Sequence, residues 1–167
     1  KHGFAFKGEF FTEDNTKVLL TTPGNFKVGG GFKEDKYKFY NGDIPNDYIL
    51  KKDDIIITMT DLSKAGDTLG YSAKMPCIKG RIYLHNQRIG LVIFTAKVFE
   101  DYIYWLTRSK HYQKSIVNSS TGSTVRHTSP NRIKEYTFSI PPLPEQKSIA
   151  NILSSFDEKI ELLREQN

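Results

Sequence analysis

Over the first 140 positions, apolar residues come in short runs separated by turn-forming residues, a pattern that suits strands better than helices. Ile55–Thr60 (behind Asp53 and Asp54), Arg81–Leu84, Gly90–Thr95 and Tyr136–Ile140 are β-branched or aromatic and bounded by polar punctuation, so each predicts a strand. Thr22-Pro23-Gly24-Asn25, Gly29-Gly30-Gly31, Asn41-Gly42 and Gly66-Asp67 predict the turns between them. Asn41-Gly42 is the expected hairpin, because both residues tolerate positive φ. One helix interrupts this series: from Phe99 to Gln113, Phe99, Tyr102, Ile103 and Leu106 recur at three- and four-residue spacing. Arg108, Lys110, His111 and Lys114 make its end basic, which also complements the helix dipole. Ser129-Pro130 predicts a short second helix, with serine as N-cap and proline at the first position.

The pattern changes after Ile140. Pro141-Pro142-Leu143-Pro144 enforces extended backbone, and Pro144 with Glu145 then suits a helix start. Beyond it Ile149, Leu153, Phe156, Ile160 and Leu163 follow one another at intervals of four, three, four and three, which is a heptad seam. Glu158, Lys159, Glu161 and Arg164 supply its charged remainder. Two heptads do not hold an isolated helix together in water, so this one needs a partner. With no terminating glycine before Asn167, it is expected to continue. The alternative is that it folds back onto its own domain. The expected fold class is therefore α+β: a domain over residues 1–140, with few helices, and a coiled-coil-type helix over 141–167.

Composition narrows the function. The longest apolar stretch, around Ile89–Phe94, falls far short of the roughly 20 residues a membrane span needs. No secretory signal is visible and the single cysteine, Cys77, excludes an internal disulfide, so a cytoplasmic protein is expected. Charge is unevenly spread. Residues 1–67 carry ten Lys/Arg and eleven Asp/Glu, whereas 68–134 carry eleven Lys/Arg against Glu100 and Asp101 alone. A segment of that sign attracts polyanions, although a solvated basic face without a partner is the plainer reading of charge taken alone.

Phosphate contact needs flexible cationic side chains, and base reading needs polar groups that reach base edges. The candidates are Lys74, Lys79, Arg81, Arg88, Lys110, Lys114, Arg132 and above all Arg126 and His127, which follow Ser119-Ser120-Thr121-Gly122-Ser123-Thr124, a small and polar loop. Ser123 and Thr124 join them as hydroxyl donors. Lys64 and Lys74 flank a second polar turn. Gly29–Gly31 with Lys27, Lys33, Lys36 and Lys38 is either a third DNA-facing loop or a flexible hairpin. Asn86-Gln87 has the chemistry to read adenine, but such a pair beside a strand more often satisfies backbone groups. Tyr37, Phe39 and Tyr40 suit base stacking less well than a strand's core face, and Trp105 reads as core. Enzyme readings are weak. The triple glycine lacks the Gly-Lys-Ser/Thr ending of a phosphate loop, and the four histidines lack metal-ligand spacing. Glu34-Asp35-Lys36 has a nuclease-like shape, yet its partner carboxylate would have to be Asp14, in a non-matching context. Ile140-Pro141-Pro142-Leu143 lacks the polar residue and ring of an adenine methyltransferase loop. No catalytic or metal-binding residues are assigned.

Pro141-Pro142-Leu143-Pro144-Glu145-Gln146-Lys147-Ser148-Ile149-Ala150, with Ile152-Leu153 and Asp157-Glu158-Lys159-Ile160, resembles the junction in Type I restriction–modification specificity subunits, where a target-recognition domain meets a spacer helix. Gly3-Phe4-Ala5-Phe6-Lys7 is similar to that family's opening motif. Gly42-Asp43-Ile44, Asp53-Asp54-Ile55-Ile56, Asn86-Gln87 and Gly122-Ser123-Thr124 are similar to weaker landmarks. The resemblance implies a mixed α/β target-recognition domain with a twisted, mainly antiparallel sheet that puts loops into the major groove of double-stranded DNA. It implies no catalytic activity here. Modification (methyltransferase) subunits would dock on the spacer helix and a restriction subunit would join through the complex, with S-adenosylmethionine, ATP and magnesium confined to those partners. Self-association, or a second recognition domain, is expected through Ile149, Leu153, Phe156, Ile160 and Leu163. Two other readings stay open: a protein-interaction module with a basic face, and a metal-dependent nuclease.

Overall fold

A computed structural model describes residues 1–61, 63, 65–77 and 79–166. Among these residues the strands are β1 (Phe11–Thr12), β2 (Val18–Thr21), β3 (Phe39–Tyr40), β4 (Ile49–Leu50), β5 (Ile55–Thr58), β6 (Thr60–Asp61), β7 (Ser72–Lys74), β8 (Ile82–His85), β9 (Ile89–Leu91) and β10 (Arg126–His127). The helices are α1 (Glu100–Leu106), α2 (Lys110–Ser119), α3 (Pro130–Lys134) and α4 (Leu143–Glu165). The strands form sheets in the orders β1-β3-β2-β8-β4, β7-β5-β9 and β10-β6. Every pairing is antiparallel except β2 with β8, in register from Val18↔Ile82 to Thr21↔His85.

Alternation along β2 and β8 explains the layering. Leu19 and Tyr83 point to one side, into a core with Phe26, Leu50, Ile56, Ala73, Met75 and Ile89, which binds the five-stranded sheet to the three-stranded one. Leu20 and Leu84 point to the other side, where Phe6 and Tyr40 cover them. The run Ile55–Thr58 is buried throughout because β5 lies between β7 and β9. A third core of Leu69, Tyr112 and Ile116 seats α2. The opening Gly3-Phe4-Ala5-Phe6 lies across the β8–β9 turn. Phe4 N donates to His85 O (2.8 Å) and Gln87 N donates to Phe4 O (2.9 Å). A Cβ at Gly3 would come within 2.0 Å of Asn86 O, so only glycine allows that approach.

Several expectations need correction. The single helix over 99–113 is two. Thr107 turns its hydroxyl onto Ile103 O (2.8 Å) and Ser72 Oγ (2.7 Å), and the Ser109 side chain caps a new helix by accepting from Tyr112 N (3.2 Å). Tyr136–Ile140 joins no sheet among the described residues; Tyr136 packs edge-on against Tyr112 at 5.0 Å, and the exposed Phe138 stacks on Tyr136 at 6.0 Å. Asn41-Gly42 makes no hairpin, because β3 pairs with β1 and β2 while β4 pairs with β8. Gly42 is instead a packing glycine, since a Cβ there would sit 2.6 Å from the Phe10 ring. The run predicted over 90–95 leaves the sheet at Leu91, and Pro144 is the second helical residue of α4 rather than the first.

His85 is fully buried and donates from Nε2 to Ile89 O (2.8 Å). Burial disfavours its charged form and lowers its pKa from 6.5 to about 4, against the opposing pull of the Ile89 carbonyl. As pH falls from 6.5 toward 4, therefore, the unfolded chain takes up a proton that the folded chain refuses, and stability drops. The stability advantage of the parent over His85→Phe should be fully present near neutrality and shrink across that window. Urea denaturation of both proteins across the range checks this; a gap independent of pH would contradict it.

Candidate nucleic-acid interface and helix docking

Asp61, at the end of β6 and 5% exposed, organises the loop that follows it. Its Oδ1 accepts from Ser63 N (2.7 Å), and its Oδ2 accepts from Thr68 N (2.6 Å), Thr68 Oγ1 (2.8 Å) and Leu69 N (3.1 Å). Burial alone would push this carboxyl up, but those donors outweigh it and hold the pKa below the usual carboxylate range. Gly66 turns the loop at φ +73°, and Gln113 Nε2 on α2 donates to its carbonyl (2.7 Å). A Cβ at Gly66 would meet Arg126 Cδ at 3.0 Å and Val117 Cγ2 at 3.3 Å, so loop, α2 and β10 converge at one end of the molecule.

Most of the favoured site residues gather there. β10 pairs with β6, placing Arg126 opposite Asp61 and His127 opposite Thr60. Gly122 at φ +96° closes the tight turn that leaves Ser123 and Thr124 exposed at its tip. Arg126 Nη1 donates to Ser120 Oγ (3.2 Å), Arg132 Nη1 to Thr121 Oγ1 (3.2 Å), and His127 Nδ1 lies 3.2 Å from Thr60 Oγ1. Both arginines therefore brace the loop. Lys110 and Lys114 stand exposed, one turn apart, on α2. The exposed Arg88 lies on a turn whose carbonyl accepts from Met59 N (2.9 Å), beside β6. Arg132, a candidate from the basic segment though not among the most favoured, joins this group because α3 packs on α2. Lys64 lies outside the described residues.

Other candidates are committed elsewhere. Lys74 pairs with Asp101 on α1 at 2.7 Å and lies over the Tyr104 ring, so its charge is already matched. The Arg81 guanidinium covers the Tyr37 ring at 4.6 Å. Lys33 pairs with Asp35 (2.7 Å), and Asn25 Nδ2 fastens the carbonyls of Lys33 and Lys36 (3.1 and 2.9 Å). The Gly29–Gly31 turn is not a free hairpin but packs against Arg108. Asn86 Oδ1 accepts from Arg88 N (3.3 Å), a local backbone role. Among the described residues, no three His, Cys, Asp or Glu side chains gather to hold a metal, and no helix is long and apolar enough to cross a membrane.

α4 returns to α1 through its polar face. Gln146, 3% exposed, accepts from Phe99 N (2.8 Å) and donates to Pro141 O (2.8 Å). Ala150 is buried, Ser154 Oγ accepts from Trp105 Nε1 (3.0 Å), Asp157 takes both Nη atoms of Arg108 (3.1 and 3.3 Å), and Glu161 pairs with Lys27 (3.2 Å). Trp105 thus serves the helix contact, not the core. The heptad seam faces away: Ile149, Leu153, Phe156, Ile160 and Leu163 are 39, 38, 58, 47 and 59% exposed.

The fold is thus a mixed α+β domain with a basic, hydroxyl-bearing end and an outward apolar helix face. Residues 6–167 match the Type I restriction modification DNA specificity domain, and the chain belongs to that family. It is 26% identical over 155 residues to the Type I restriction enzyme EcoBI specificity subunit of Escherichia coli, covering 92% of this chain and 29% of that protein. It is 33% identical over 82 residues to the Type I restriction enzyme MjaIX specificity subunit of Methanocaldococcus jannaschii, covering 49% of this chain and 19% of that one. The fold matches the crystal structure of the Type I restriction-modification S subunit from M. genitalium with a TM-score of 0.64 at 20% identity, covering 99% of this chain and 38% of that chain. The chain thus spans less than a third of the length of the curated relatives it matches.

Asp61→Asn should lower stability by about 2 kcal/mol at neutral pH, since hydrogen bonds to a charged acceptor are worth roughly 1.5–3 kcal/mol. The loss is complete above the ordinary carboxylate pKa and closes as pH falls through the lower folded value, where Asp61 itself protonates. Denaturant midpoints at pH 7 and pH 3 measure this; equal midpoints at pH 7 would contradict it.

Proposed function

We propose that this chain reads double-stranded DNA sequence on behalf of partner subunits that carry out the chemistry. The observation that supports this reading most is the gathering of Arg126, His127, Ser123, Thr124 and Arg132 at one loop-built end, with Lys110 and Lys114 exposed on the neighbouring α2. The arrangement offers what a duplex needs: cations for phosphates, and hydroxyls, imidazole and guanidinium groups for base edges. α4 presents Ile149, Leu153, Phe156, Ile160 and Leu163 to a second recognition domain's helix, to another copy, or to modification subunits. The restriction subunit joins through the assembled complex. S-adenosylmethionine, ATP and magnesium belong to those partners, and this chain supplies address rather than catalysis.

Titration with a random duplex at two salt concentrations tests the reading. Affinity should fall steeply with salt, by a slope of about 0.9 per phosphate neutralised. Replacing Arg126 and Lys114 by glutamate should weaken binding to every sequence and flatten that slope by about 1 for each phosphate left without its cation. Salt-insensitive or absent binding would favour a protein-interaction module instead.

A further inference from the structure

The contact between α4 and its domain is made almost entirely of directional polar bonds, and one side chain holds three elements together. Arg108 is 14% exposed in its side chain. Its Nε donates to Gly29 O (3.1 Å), its Nη1 to Tyr104 Oη (2.9 Å), and its two Nη atoms grip Asp157 of α4 as a fork. The guanidinium also lies 4.4 Å from the Trp105 ring centroid. Gly30 is shaped to it: a Cβ there would come within 2.6 Å of Arg108 Cγ. Beside the fork, Lys27 from the same glycine-rich turn reaches Glu161, one helical turn further along α4. The apolar part of the contact is small, with Ala150 the buried apolar residue on this face.

We infer that Arg108 is a positioning residue that sets the direction in which α4 leaves the recognition domain. Apolar contact is non-directional and tolerates sliding, whereas a bidentate guanidinium–carboxylate pair fixes both angle and register. The ion pairs at Asp157 and Glu161 together define a line along the helix. Lysine at 108 would keep the charge but lose the fork and the simultaneous reach to Gly29 and Tyr104. The consequence for DNA rests on the function proposed above: the angle of α4 decides where a second recognition domain stands, so Arg108 governs the gap between two half-sites without touching either.

Pulsed electron paramagnetic resonance on the full chain tests the inference without DNA. One spin label goes on the exposed Cys77 and the other on Lys159→Cys, with labelled protein diluted in unlabelled protein to suppress pairs between copies. The parent should give one narrow distance distribution; Asp157→Asn and Arg108→Lys should each broaden or shift it. An unchanged distribution in both variants, even with a lowered melting temperature, makes the pair merely stabilising and overturns the inference. So does Arg108→Lys behaving as the parent, because charge alone would then suffice. Asp157→Asn changes only a partly exposed helix residue and decides the matter should the Arg108 variant fail to fold. In an assembled complex, Asp157→Asn should also lose discrimination between targets whose half-site gaps differ by one base pair. Retained discrimination beside a broadened distribution would remove the DNA consequence and leave the positioning role standing.

Discussion

The side of α4 that meets its own domain is polar, and the arrangement of everything after residue 142 follows from that contact. Burying a leucine, isoleucine or phenylalanine is worth roughly 1.5–3 kcal/mol, while a net hydrogen bond contributes about 1 kcal/mol. Left to itself, a helix carrying Ile149, Leu153, Phe156, Ile160 and Leu163 would turn them inward. The surface it meets does not allow this. Phe99 N, Trp105 Nε1 and Arg108 all donate toward α4, and hydrocarbon set against them would strand three donors, one of them charged. The domain accepts the polar face and leaves the apolar stripe exposed.

The same logic distributes the cations. A basic stretch in sequence is not a basic surface in space. Of the eleven Lys and Arg between residues 68 and 134, Lys74 and Arg108 are matched to Asp101 and Asp157, and Arg81 lies over Tyr37. Arg126, Arg132, Lys110 and Lys114 lie at the end built by β6, β10, α2 and α3. Asp61 lies at the foot of that end, yet its carboxylate faces its own loop amides, so the acid frames the loop rather than opposing an incoming anion.

The elements legible in the sequence were those governed by local rules. The proline-bounded start of α4, its heptad spacing and the Ser129-Pro130 cap depend on neighbouring residues and are observed. The β5 and β8 cores were visible as β-branched runs, to within a residue or two. What failed depended on partners distant in sequence. Tyr136–Ile140 alternates as a strand should, but no edge is offered to it. Asn41-Gly42 has hairpin chemistry, yet Gly42 serves the Phe10 ring. The helix break at Thr107 depends on Ser72, thirty-five residues earlier. Arg126, His127 and Arg132, which lie at the candidate interface, were named from loop composition and the basic run. Asp61 and the occupation of Lys74 by Asp101 were not, because only the folded chain brings those groups together. Trp105, read as core, points its N–H at α4 for the same reason.

On this view α4 lies polar side in and apolar side out before any partner arrives. Photoactivated carbene footprinting of the dilute, unassembled chain, read by peptide mass spectrometry, reports that orientation residue by residue. Heavy labelling is expected at Leu153, Phe156 and Ile160 with Ala150 dark, and the seam labelling should disappear once the helix is engaged. A dark seam in the dilute chain, with label on Ala150, would show the helix the other way round.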